Sequence, residues 1–216
     1  MKFLKLTLTA FTLLFIIACG NSQQEQTKAK LIAPKGTEQL ATFAGGCFWS
    51  IQEGFIELKG VSKATSGYSG GSTKNPTYEE VSGEGTGHAE AVQVIYDPNV
   101  ISFAQLVEAF LYMHDPTQLN RQGPDIGTSY RSIAFYRTAD EKKQIENVIA
   151  KFKMAKLHSE PIVTEINAFD VFYPAEEYHQ NYFREHPADG YIQNVCGPKL
   201  IKLREAVPHL LKEEFK

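Results

Sequence analysis

From residue 38 onward, short apolar runs alternate with longer stretches of helical spacing. Leu40–Ala44 is a continuous apolar run of buried-strand length. Two glycines follow, and then Ile51, Phe55, Ile56 and Leu58 recur on roughly one helical face. Val61 to Gly71 reads as a β-branched strand closing in the glycine-rich turn Gly67-Tyr68-Ser69-Gly70-Gly71. A short helix is expected over Pro76–Val81, with Thr77 near its cap. Gly83, Gly85 and Gly87 then open a loop. His88–Tyr96 alternates as a strand, with Ala89, Ala91 and Gln93 on one face and Glu90, Val92 and Val94 on the other. Ser102 caps an amphipathic helix that Asp115-Pro116 ends at His114. Thr117–Tyr130 is a long polar loop. A strand (Ser132–Tyr136) and a helix (Thr138–Lys156, with Ile145, Val148, Ile149 and Phe152 inward) follow. The rest reads as a strand at Pro161–Ile166, an aromatic-rich helix at Ala175–Arg184, and helix on either side of Pro208. The mixed order predicts one α+β or α/β domain over 38–216, with helices packed on a sheet.

Composition narrows the class. The chain has 216 residues, 43% hydrophobic and 22% charged, which suits a globular core. A net charge of −3 leaves no basic footprint for nucleic acid. The N-terminus departs from the rest. Lys2 and Lys5 precede an apolar run ending at Ala18, the layout of a signal peptide over 1–18. Ile16-Ile17-Ala18-Cys19-Gly20 resembles a bacterial lipobox, which implies a lipid on Cys19. Residues 19–37 then form a polar, flexible tether. The expected location is the bacterial cell envelope, on a membrane-anchored lipoprotein facing outside the cytoplasm.

Candidate chemistry begins at Thr42–Ser50, TFAGGCFWS. Cys47 sits where a strand turns into a helix, so the helix N-terminus favours its thiolate. Phe48 and Trp49, the sole tryptophan, are placed to wall an apolar pocket. A buried structural cysteine is the competing reading. Glu90 shares a strand face with valines, where burial raises a carboxyl pKa; a place at the wet strand end is the alternative. Three cysteines, none close in sequence, make neither a disulfide scaffold nor an ordinary zinc site. With Cys19 lipidated, Cys47 and Cys196 remain, as a structural disulfide or a redox pair.

These stretches, in order, resemble the A-type peptide-methionine sulfoxide reductases. They are GGCFW, GYSGG at Gly67–Gly71, the Tyr78 segment, GHAEAV at Gly87–Val92, the loop from His114 to Ser132, and AEEYHQ-x-Y at Ala175–Tyr182. The resemblance implies an α/β sandwich around a mixed sheet with long loops, of ferredoxin-like type. It implies reduction of methionine S-sulfoxide, in proteins and free, and hence repair of oxidised proteins. It implies Cys47 as nucleophile, Glu90 as acid, and Tyr78 and Tyr130 as hydrogen-bond donors to the sulfoxide oxygen. Phe48 and Trp49 would hold the substrate methyl, with Asp125 near the site. It implies no metal and no organic cofactor, but an external dithiol such as thioredoxin. A monomer is expected.

The sequence departs from that pattern at three places. Ser50 stands where the family usually has Gly, and Ser129 where it often has Gln. Ile192 stands where many relatives carry a recycling Cys. Cys196 is then the candidate resolving thiol, at a Gly197-Pro198 turn able to approach Cys47; an inert buried thiol is the alternative. The rival function is a non-catalytic envelope lipoprotein that binds thioether or sulfoxide ligands. A cysteine acyl-transferase or protease ranks last, since no Cys-His-Asn arrangement supports it.

Overall fold

The structure is a computed structural model, and it describes residues 27–216. Its first strand, β1 (Gln39–Gly45), runs through the middle of a six-stranded sheet. Helix α1 (Phe48–Ile56) follows, then β2 (Val61–Ser69), the short α2 (Tyr78–Ser82), β3 (Ala89–Tyr96) and α3 (Phe103–Met113). Two-residue strands β4 (Arg121–Gln122) and β5 (Asp125–Ile126) make a small hairpin before β6 (Ser132–Tyr136). The chain ends with α4 (Ala139–Met154), β7 (Glu165–Ala168), β8 (Phe172–Pro174), α5 (Tyr182–Glu185) and α6 (Gly197–Ala206).

The sheet order is β7-β6-β1-β3-β2-β8. The inner four strands are antiparallel throughout, and only the β6–β7 edge pair is parallel. With α1 between β1 and β2, and α3 between β3 and β6, those four form the split β-α-β-β-α-β arrangement expected of a ferredoxin-like fold. Helices α1, α3 and α6 pack on one another, and α4 packs on α3. Phe43 on β1 stacks between Phe55 of α1 and Phe110 of α3, with ring centroids 5.0 Å apart in each case. Each such buried ring contributes roughly 1.5–3 kcal/mol. The other face carries a smaller cluster of Ala44, Ala89, Ala91, Ile133, Phe135 and Phe172. Alternation on β3 is therefore real: the alanines face that cluster, while Val92 and Val94 face the main core.

Helix starts follow local chemistry. Thr77, Ser102 and Thr138 each close a capping box with the residue three places on, Glu80, Gln105 and Glu141.

Five expectations are corrected. Gly67-Tyr68-Ser69 is strand, not turn, and a Cβ on Gly67 would lie 2.3 Å from the Tyr173 carbonyl oxygen of neighbouring β8. Leu58 lies past the helix, in a bridge to Leu211. The strand expected at Pro161–Ile166 starts only at Glu165, where pairing with β6 becomes available. Ala175–Arg184 is not one helix: β8 runs into a 3-10 turn at Glu177–His179, and Asn181, at φ 56°, separates it from α5. Finally, the tether is not free up to residue 37. Lys28 bridges to Glu176, Ala29 is buried, and the Lys28 Nζ lies 2.6 Å from the Glu176 carboxylate. A buried carboxylate needs a counter-charge, and the tether supplies it. The signal peptide and Cys19 lie outside the described residues.

Candidate active site

Cys47 is the N-cap residue of α1, with its side chain free of any capping bond. The two preceding glycines are required by packing. A Cβ on Gly45 would come 2.7 Å from the Phe110 ring. Gly46 has φ +83°, and a Cβ there would meet Gln122 at 2.6 Å. β1 can thus turn into α1 directly over α3 and the β4–β5 hairpin.

A cavity of about 280 Å³ opens above the thiol. Cys47, Phe48, Trp49, Tyr78, Glu90, Asp125 and Tyr130, all nominated from the sequence, line it together. Asp189 and Tyr191 complete the wall. A larger hollow of about 410 Å³, between Ala29–Ile32 and α1, is lined by neither cysteine nor tyrosine.

Glu90 is 3% exposed, so the buried reading holds over the wet strand end. Its Oε2 accepts a hydrogen bond from the Phe48 backbone N–H at 3.0 Å. Burial first, and repulsion from a thiolate on neighbouring Cys47 second, push its carboxyl well above the usual range. It therefore holds its proton. Tyr78 is pushed up to about 12, and Tyr130 and Tyr191 further, burial leading in each. All three remain hydrogen-bond donors at neutral pH. Tyr191 O–H donates to Asp125 Oδ2 at 2.5 Å.

The expected thiolate is corrected. Burial pushes the Cys47 thiol well up, and the neighbouring Cys196 thiol adds to it. The helix N-terminus does not overcome desolvation here. Cys196 is fully buried in the π-helical turn Ile192–Cys196 that runs straight into α6. It needs no mobile turn to reach Cys47, because Gly197 is helical and Pro198 fits a first helical turn. Both cysteines are free.

Residues 39–210 match the sequence pattern of the family described as Peptide methionine sulfoxide reductase. The chain belongs to that family. An MsrA of Natronomonas pharaonis is 49% identical over 166 residues, 77% of this chain and 93% of its own. One from Acinetobacter baumannii is 46% identical over 176 residues, covering 82% and 99%. Mxr1 of Saccharomyces cerevisiae in reduced form superposes with a TM-score of 0.69 at 32% identity, over 74% of this chain and 92% of Mxr1. Methionine sulfoxide reductase A of Corynebacterium diphtheriae gives 0.64 at 34% identity, over 72% and 78%. The protein is thus a peptide-methionine (S)-S-oxide reductase, and the reading as a non-catalytic binding lipoprotein gives way.

The reductase positions its pocket with residues to which the sequence reading gave no part in the chemistry. Trp49 stacks on Tyr182 at 3.8 Å and meets Tyr191 edge-on at 5.8 Å. Its indole N–H donates to His179 Nδ1 at 3.2 Å, so that nitrogen carries no proton. Burial holds His179 down at about 4, and it stays neutral. Glu176 accepts from Tyr68 O–H at 2.8 Å and from the Tyr78 backbone N–H at 3.2 Å, fixing the start of α2. Glu84 clamps the Tyr130 turn. It accepts from the backbone and hydroxyls of Thr128 and Ser129, and these bonds outweigh burial to hold its carboxyl at about 2. Ser129, a departure from the family pattern, is part of that clamp. Tyr191 adjoins Ile192, already singled out in the sequence; its facing Trp49 and Asp125 had no local signal.

Proposed function

We propose that Cys47 attacks the sulfoxide sulfur while Glu90 donates its proton to the sulfoxide oxygen. The observation that carries this is the convergence of one thiol, one protonated carboxyl and three phenols on one cavity. Tyr78 and Tyr130 hydrogen-bond the oxygen as it gains negative charge. Phe48 and Trp49 enclose the methyl group, and Asp125 fixes Tyr191 against Trp49. Once Glu90 has given up its proton, its carboxylate accepts the Cys47 proton. No thiolate has to persist in the empty, desolvated site. The S–O bond of the sulfoxide is exchanged for an S–O bond on Cys47. The substrate sulfur gains two electrons, Cys47 loses two, and methionine leaves a sulfenic acid behind.

Recycling follows from the neighbouring thiol. Cys196 attacks the Cys47 sulfenic acid, an S–S bond replaces the S–O bond, and the oxygen departs as water with the thiol proton. An external dithiol of the thioredoxin type then reduces the disulfide by exchange. Yeast Mxr1 in complex with Trx2 has a similar fold, which is consistent with such a donor. We also read residues 1–18 as a signal peptide, Cys19 as lipidated, and 38–216 as a monomeric reductase domain held at the bacterial envelope membrane.

The test is turnover of the S-sulfoxide of N-acetylmethionine with a dithiol present. Cys47→Ser abolishes it while near-UV and far-UV circular dichroism stay native. After one turnover without reductant, mass spectrometry finds a Cys47–Cys196 disulfide. A persistent sulfenic acid beside a free Cys196 overturns the recycling step, and turnover by Cys47→Ser overturns the nucleophile.

A further inference from the structure

Lys199 has no part in the chemistry above, yet its placement is unusual. Its Nζ is shielded from solvent and has no hydrogen-bond partner among the described residues. A buried ammonium without a partner is unfavourable, so its surroundings ask for an explanation. The backbone is helical from Cys196 through Gly197 into α6, which puts Lys199 three residues beyond Cys196 on the same helical face. Its Nζ also lies 3.7 Å from where a Cβ on Gly46, the residue before Cys47, would stand. The ammonium thus lies beside the β1–α1 turn that leads into Cys47, on the helix that follows Cys196.

We infer that Lys199 is a positioning residue for the resolving step: its unpartnered ammonium holds Cys196 ready as a thiolate to attack the Cys47 sulfenic acid. The inference rests on the recycling step proposed above. The titratable and polar groups acting on Cys196 are the Cys47 thiol at the cap of α1, the Ser50 hydroxyl of α1, the Asp125 carboxylate of β5, and Tyr191 and Lys199 of its own segment. Lys199 is the one cation among these. Asp125 opposes ionisation, while contact with Cys47, first, and then Lys199 and Ser50 favour it. Two departures from the family pattern are neighbours here: Ser50, where the family usually has glycine, and Cys196, the thiol left when Ile192 takes the usual recycling position. The Ser50 hydroxyl also donates to the Cys47 carbonyl at 3.0 Å. The step balances as written: Cys196 sulfur is oxidised, Cys47 sulfur is reduced, and the oxygen leaves as hydroxide that takes up a proton to become water.

The experiment is a single turnover of the wild type, Lys199→Met and Lys199→Arg between pH 5.5 and 9.5. Each reaction uses one equivalent of N-acetylmethionine S-sulfoxide and is quenched by alkylation. Methionine and disulfide are timed separately in the same samples. In Lys199→Met the pH midpoint for disulfide formation moves up by about one unit, which makes that step about tenfold slower at neutral pH. The difference closes at high pH, and Lys199→Arg keeps the wild-type midpoint. An unmoved midpoint in Lys199→Met, a loss equal at every pH, or slowed methionine release with normal disulfide formation each overturns the inference while leaving the recycling step intact. Absence of the disulfide in the wild type overturns the recycling step itself, and this inference with it.

Discussion

Glu90→Gln separates what this carboxyl does for catalysis from what it costs the fold. The amide keeps an oxygen to accept from the Phe48 N–H, now bonded at 3.0 Å, and keeps the side-chain volume in a site that is 3% exposed. What it loses is the acidic proton. Removing a positioned general acid slows the chemical step by about 10²–10⁴-fold, or roughly 3–5 kcal/mol of barrier. Stability moves the other way. Burial raises the folded carboxyl pKa well above 4.5, so the native state binds more protons than the unfolded chain above that value. Folding stability therefore falls as pH rises from 4.5 toward the raised pKa, at up to about 1.4 kcal/mol per pH unit. Glutamine does not titrate and escapes that loss. The variant is thus expected to be more stable than the wild type at pH 7 and no more stable at pH 4. The assay is urea unfolding of both proteins across that range, beside single-turnover methionine release. The difference between the two curves isolates position 90. A variant less stable at pH 7, a pH-independent difference, or full activity would refute the reasoning.

Lys28→Met removes the ammonium 2.6 Å from the buried Glu176 carboxylate. Hydrogen bonds from Lys28 and Tyr68 outweigh burial and hold that carboxyl below 4.5, so the pair stabilises the fold above pH 4.5 and loses that effect as pH falls through the depressed value. The variant loses about 1–2 kcal/mol at pH 7, seen as a Tm lower by roughly 2–8 °C, and the gap narrows on acidification. An equal deficit at pH 3 would count against the ion pair as its cause. For the N-terminus, a bacterial cell expressing the full chain incorporates labelled palmitate into it, and Cys19→Ala abolishes incorporation. Labelling that survives the substitution rejects the lipid anchor.

Much of the fold was legible because its signals are local. The capping boxes at Ser102 and Thr138 are written in four consecutive residues, and the apolar spacing of Ile145, Val148, Ile149 and Phe152 follows from one helix facing one core. The alternation around Glu90 was equally local, since a strand inside a sheet must send successive side chains to opposite faces. The aromatic segment Ala175–Arg184 misled for the same reason. Its residues suit a helix one at a time, but the Ala175 N–H donates to the Ser66 carbonyl of β2 and Asn181 breaks its end.

The sequence by itself nominated the candidate reacting groups: a cysteine after two glycines at a strand-to-helix turn, an acid on a valine-rich strand face, and tyrosines in a short helix and at the end of a long loop. Their protonation belonged to the tertiary structure. A helix N-terminus argues for a Cys47 thiolate, yet the closure of α1 against β3 and α6 buries the sulfur, and desolvation outweighs the helix. The same holds for Cys196, which looked like a distant thiol in need of a mobile turn. Its contact with Cys47 comes from α6 packing on α1, a pairing of residues far apart along the chain. Side-chain identity and local geometry are properties of a few neighbouring residues, whereas burial and charge proximity depend on every element that packs around them.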